Sequence, residues 1–261
     1  MNKTFAIVAA VILVLLGALY FTNRKTVVLP SDGAATTTPE QNVVIDPSAT
    51  STTVNGYTIE RVTAIKEVGK YPIINRALPT SMNGLSAEAH AAILKSLSKV
   101  ATNLAKNPGS VEDWMLLGTY RQLLGDYEGA KEAWVYVGSK GNIAQAYENL
   151  GNLYANYLRV PTQVEVNYKK AIALDALSPQ YYRTLAEWYT SVSRNADAEK
   201  TLRAGIVAVP KALDLQVVLA RLLVSIGRIS DARPVYLQAI QSATVSGQTE
   251  LAAQITAEMN K

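Results

Sequence analysis

The chain has no cysteine, which removes disulfides, thiolate catalysis and zinc-thiolate sites and leaves the redox compartment undecided. Its one histidine, His90, has no metal-ligating or nucleophilic partner near it in sequence and reads as a packing or surface residue. Clustered positive charge is also scarce. The formal net charge is +4, and Arg24-Lys25 and Lys169-Lys170 are the only adjacent basic pairs, whereas a nucleic-acid-binding face needs a cluster. Gly138-Ser-Lys-Gly141-Asn142 lacks the spacing of a phosphate loop and follows a helical pattern instead of a strand, so it reads as a turn between repeats. Carboxylates are plentiful, but no spacing pairs two of them as acid and base. No enzyme activity, cofactor, metal or nucleic acid is expected.

What the chain does have is length and apolar content. With 261 residues, 49% hydrophobic and 18% charged, it is able to bury one sizeable core with appendages. Phe5 to Phe21 is an uncharged run between Lys3 and Arg24-Lys25. As a helix it would span about 26 Å, near the lower limit for a bilayer core. A cleavable signal peptide would end in small residues, but this run ends Leu19-Tyr-Phe-Thr-Asn23, and no cysteine follows to make a lipoprotein. Residues 1–25 are therefore expected to be an uncleaved, single-pass transmembrane helix in the lipid bilayer, with the remainder extracytoplasmic. Residues 26–54, rich in Ser, Thr, Pro and Ala, read as a disordered tether. Residues 55–84 read as an extended arm with a short strand around Thr58 to Val62, and residues 85–261 as the folded domain.

That domain repeats. Ala130, Val164, Ala198 and Ala232 are 34 residues apart, and so are Trp134, Tyr168, Leu202 and Tyr236. Thirty-four residues suit two helices of three to four turns with two tight turns, so each unit is expected to be a helical hairpin. Gly118, Gly151, Ala186 and Ala220 are small where paired helices would cross, and the aromatic residues fill the space towards the next hairpin. Ser86, the Ser110/Asp113 capping box and Ser178-Pro179 mark helix starts, and Asn107-Pro108-Gly109 marks a stop. The helix opened by Ser86 reads as the second half of a degenerate leading repeat. A last amphipathic helix carrying Leu251, Ile255 and Met259 caps the other end.

In these positions the chain resembles the tetratricopeptide repeat family, of the membrane-anchored bacterial type. The signature Trp-x2-Leu-Gly-x2-Tyr, a small residue, an aromatic and a late Pro is met by Trp114, Leu117, Gly118, Ala130 and Trp134. It returns at Tyr147, Leu150, Gly151 and Tyr154, at Tyr182, Leu185, Ala186, Tyr189, Ala198 and Pro210, and at Leu219, Ala220, Gly227, Ala232, Tyr236 and Ala239. Arg121 stands where the family has Tyr, Gly205 where it usually has Ala, and Gln216 and Leu223 replace aromatics. The second unit is shifted by one residue, which Leu158 to Gln163 is expected to absorb. The resemblance implies an all-α fold, a right-handed α-solenoid of about four hairpins behind the transmembrane helix.

It also implies a scaffold that binds a protein or peptide in the groove lined by the first helix of each hairpin. The family's offsets place Glu112, Met115, Thr119 and Gln122 there from the first unit, and Gln145, Glu148, Asn152 and Asn156 from the second. Gln180, Arg183 and Glu187 follow from the third, and Asp214, Val217 and Arg221 from the fourth. Family members that clamp an acidic carboxy-terminal tail repeat Lys, Asn and Arg in that groove. Only Asn152 matches, so the mixed signs point instead to a partner with hydrogen-bonding groups and both charges. The alternative is a structural subunit of an envelope assembly that forms a homo-oligomer.

Overall fold

The computed structural model describes residues 51–54, 57–60, 71–80 and 84–260. The apolar run 5–21 and the tether up to residue 50 lie outside them. No helix among the described residues is long and apolar enough to cross a membrane.

Two strands, β1 (Ser51–Val54) and β2 (Tyr57–Glu60), pair antiparallel with Val54 opposite Tyr57. Pairing thus starts four residues inside the stretch read as tether. Ten α-helices follow among the described residues. The leading helix α1 (Ala87–Lys106) precedes four hairpins: α2 (Val111–Leu123) with α3 (Tyr127–Gly141), α4 (Ala144–Leu153) with α5 (Pro161–Leu174), α6 (Pro179–Ser191) with α7 (Asn195–Ala208), and α8 (Leu213–Ser225) with α9 (Ile229–Val245). Helix α10 (Thr249–Met259) closes the array, with Ile255 buried and Leu251 and Met259 packed on the core.

Local chemistry explains the helix ends. The Ser86 and Ser110 hydroxyls accept from the backbone N–H of Ala89 and Asp113. The capping box is only half made, because the Asp113 carboxylate accepts from Asn103 Nδ2. Ser178 sits at its cap with Pro179 in the first turn but makes no side-chain cap bond. Inside the hairpins, Gly125, Arg159, Ser193 and Gly227 occupy one repeat position, each 34 residues from the last, and all have positive φ. Each turn therefore needs a left-handed residue, which glycine supplies twice without a Cβ penalty. The extra residue of the second unit is taken up earlier than expected. Helix α4 runs into a π-helical turn, Tyr154–Leu158, whose wider winding absorbs one residue without breaking the helix.

The crossings are as tight as the small residues suggest. A Cβ on Gly118 would come 2.7 Å from Trp134 Cε2, and one on Gly151 would come 2.6 Å from Tyr168 Cδ1. Gly138 does not lie in a turn, because α3 continues to Gly141. A Cβ on it would meet the Tyr147 ring at 2.7 Å, which makes it the contact point of consecutive hairpins. A further tie recurs between hairpins: Trp114 Nε1, the Tyr182 hydroxyl and Gln216 Nε2 each donate to the carbonyl six residues upstream, on Pro108, Ala176 and Pro210. Gln216, fully buried, thus replaces the motif aromatic while keeping its hydrogen bond. An ion-pair cluster is also copied by the period. Glu165 joins Lys169 and Arg194, and Arg194 joins Asp197; 34 residues later Glu199 joins Arg203 and Arg228, and Arg228 joins Asp231.

Candidate functional site

The first helices α2, α4, α6, α8 and α10 present one face, and side chains link neighbours across it. Glu148 on α4 is only 2% exposed. Its carboxylate accepts from Gln145 Nε2 (2.7 Å), from Gln180 Nε2 on α6 (2.7 and 2.9 Å) and from the Thr184 hydroxyl (3.3 Å). Asn152 accepts at Oδ1 from the Tyr168 hydroxyl at 2.8 Å. Burial, with Glu148 and Glu187 nearby, pushes that phenol well above its ordinary pKa. Arg183 lies 3.9 Å from Asp214, joining α6 to α8. Arg221 holds Glu258 of α10 through two bonds of 2.7 Å, and the Tyr236 hydroxyl donates to the same carboxylate. Burial first, then that bond, moves the Tyr236 pKa up to about 12.

The expected groove residues therefore fall into two groups. The side chains of Glu112, Gln122 and Glu187 make no hydrogen bond or ion pair among the described residues, and that of Asn156 bonds only to the backbone carbonyl of Asn152. The side-chain polar groups of the first three are left uncommitted. Glu148, Asn152, Gln180 and Arg221 are spent on neighbouring helices, and Gln145 on Glu148 and Asn149 of its own helix. Thr119 bonds back to Met115 O, and Met115 is half-buried against the core. Val217 departs from the expectation: at 9% exposure it belongs to the core, because α8 is apolar on more than one side and packs against both α6 and α9. Thr184, Tyr168 and Glu258 also reach this surface. Glu258 lies 37 residues after Arg221, in a helix outside the repeat register, so no periodic signal marks it.

A second constellation sits on the first hairpin, where residues 71–80 run without regular structure as a strap. Tyr71 stacks on Trp114, with ring centroids 6.3 Å apart, and tilts against Tyr136 at 5.5 Å. Arg121 is 1% exposed, and its Nη2 donates to the carbonyls of Ile73 (2.8 Å) and Ile74 (2.7 Å). Its Nη1 lies 3.4 Å from Asp126 Oδ2. Arg76 completes a balanced cluster, 3.4 Å from Asp126 and 2.8 Å from Glu132. Burial lowers the Arg121 pKa, opposed by Asp126. The motif position that holds Tyr154, Tyr189 and Leu223 in the other units thus holds Arg121 here because a piece of non-repeat backbone covers it. Among the described residues, no group of three His, Asp or Glu side chains is placed to hold a metal ion.

A 34-residue period, stacked helical hairpins and small residues at the crossings are the tetratricopeptide-repeat architecture, and the chain has this fold. No family model matches it, nor does any curated protein sequence. Among solved structures it is similar to MamA (19% identity, 61% of this chain, 90% of that chain, TM-score 0.46). It is also similar to pilF of Pseudomonas aeruginosa (16%, 65% and 83%, TM-score 0.48). A thermophilic TPR protein of Thermus thermophilus is a third (18%, 65% and 93%, TM-score 0.44).

Proposed function

We propose that the chain is a membrane-tethered interaction scaffold that holds a protein or peptide partner along its first-helix face. The observation that carries this is the division of labour on that face. Glu148, Gln180 and Thr184 brace α4 against α6, while the side chains of Glu112, Gln122 and Glu187 are left with unused hydrogen-bonding groups. The braced side chains are already ordered and lose little entropy on binding, while the uncommitted polar groups are available to hydrogen-bond a partner. Replacing Gln122, Arg183 and Glu187 together by Ala, against a control triple at Lys200, Arg233 and Gln238 on second helices, tests it. Crosslinked partner recovery from native membranes should fall for the first triple only. Equal recovery, with folding intact, removes the groove. A stable homo-oligomer in sedimentation of the soluble part that recovers no other protein would favour the structural reading instead.

Membrane attachment through Phe5 to Phe21, with the repeats extracytoplasmic, is part of the same proposal. It rests on the uncharged run and its basic flanks. Protease added to intact spheroplasts should digest the repeats, and their protection would overturn that topology.

A further inference from the structure

We infer that residues 71–76 are a releasable strap on which the order of the first hairpin depends, making that hairpin a conditional repeat. Arg121 is the reason. A buried guanidinium needs its N–H groups satisfied, and the two acceptors that meet Nη2 both belong to the strap, the carbonyls of Ile73 and Ile74. Within the hairpin Arg121 has only Asp126, 3.4 Å from Nη1 and not aligned as a hydrogen bond, while Nε has no partner among the described residues. Asp126 in turn relies on Arg76 of the strap and on the Gly129 N–H. If the strap leaves, a buried cation and a buried anion lose their outside partners together.

The site is built for this cluster. A Cβ on Gly129 would meet both the Asp126 carboxylate, 2.8 Å from its Cγ, and the Arg121 guanidinium, so the first turn of α3 is kept open for the pair. The aromatic stack of Tyr71 on Trp114 and Tyr136 and the insertion of Ile74 beside Leu97 supply the apolar part of the grip.

The strap is also held lightly enough to leave. Ile73 is 63% exposed and Tyr71 46% exposed. On the side of the leading helix a cleft of about 530 Å³, lined by Ile74, Arg76, Leu94, Leu97, Ala101 and Arg121, stays open beside it. The other hairpins need no such segment, because their equivalent residues are Tyr154, Tyr189 and Leu223. Displacing the strap, by a pull on the chain before residue 71 or by a competing extended peptide, therefore loosens one end of the solenoid and leaves the rest standing, as expected where each repeat contacts only its neighbours.

Amide hydrogen exchange on the full chain reads this directly. Tyr71→Ala with Arg76→Ala should speed exchange about tenfold or more across residues 111–141 and leave 179–208 unchanged. In an Arg121→Leu background the same two changes should accelerate exchange in the first hairpin much less than in the parent chain. A synthetic peptide of residues 69–80 added in trans should restore protection to the Tyr71→Ala/Arg76→Ala chain, and this decides the matter should Arg121→Leu fail to fold. Unchanged exchange at 111–141, an equal acceleration at 179–208, or no rescue by the peptide would each overturn the strap.

Discussion

The first and third hairpins are built on the same period, yet they close in different ways. In the third, Tyr182 ties to Ala176, Tyr189 is buried, and Arg194 lies over the Tyr189 ring at 4.5 Å while reaching Glu165 of the preceding hairpin. Each partner comes from the solenoid itself. In the first, Trp114 makes the matching tie to Pro108, but the position of Tyr189 is held by Arg121, whose acceptors come from the strap. A repeat that puts an aromatic in that slot is self-sufficient, and one that puts a cation there needs chain from elsewhere.

The largest expected effect tests that contrast. Arg121→Ala takes one of two guanidinium groups from the buried Asp126, leaves the Ile73 and Ile74 carbonyls without their donor and opens a cavity. It should cost about 3–5 kcal/mol, while Tyr189→Phe, which removes only a hydroxyl, should cost about 1 kcal/mol. Urea unfolding of the two variants checks it, and the reverse order would mean that the first hairpin does not depend on its arginine. Gly118→Leu comes next, at about 1–3 kcal/mol, because the new side chain must displace the Trp134 indole. An unchanged thermal midpoint would refute the helix crossing.

Smaller effects sharpen the comparison of turns. Ser193 has φ +61° where Gly125 has +81°, so Ser193→Gly should stabilise the third hairpin by roughly 0.5–1 kcal/mol, whereas Gly125→Ser should destabilise the first. A thermal midpoint that drops for Ser193→Gly would contradict this. The smallest effect concerns acid. Burial pushes Glu165 and Glu199 upward, but their hydrogen bonds to Lys169, Arg194 and Tyr189, and to Arg203 and Arg228, outweigh it and hold both below the usual carboxylate range. A depressed folded-state pKa contributes stability that is present above the unfolded value of 4.5 and lost as pH falls through the folded value. Glu165→Gln with Glu199→Gln should therefore lower the melting temperature slightly at pH 7 and flatten its decline below pH 4.5, since ion pairs with solvent-facing arginines are worth about 0–1 kcal/mol. A decline as steep as in the parent chain would assign acid sensitivity to other groups.

Much of the fold is written locally and is legible for that reason. The spacing of Ala130, Ala198 and Ala232 sets the hairpin length, and Gly118 before Trp134 or Gly151 before Tyr168 sets the closeness of crossing. Ser86 and Ser110 mark helix starts because a hydroxyl three residues before an N–H is a local arrangement. The candidate surface was half legible. The offsets find residues on the first helices, but they do not show that Glu148 is consumed by Gln180 and Thr184 or that Val217 turns into the core. Those outcomes depend on the angle between neighbouring hairpins.

By itself the sequence determined the period, the helix pairs and the residues at their crossings, because each follows from side-chain size and polarity at short range along the chain. Only the tertiary structure decided why Arg121 occupies an aromatic slot, how Gln216 keeps a tie without a ring, and that Glu258 of the last helix answers Arg221. These pair residues six to 48 positions apart, across helices or onto a strap outside the repeat. A buried polar group needs a partner at hydrogen-bonding distance, and no periodicity states where in the chain that partner will be found.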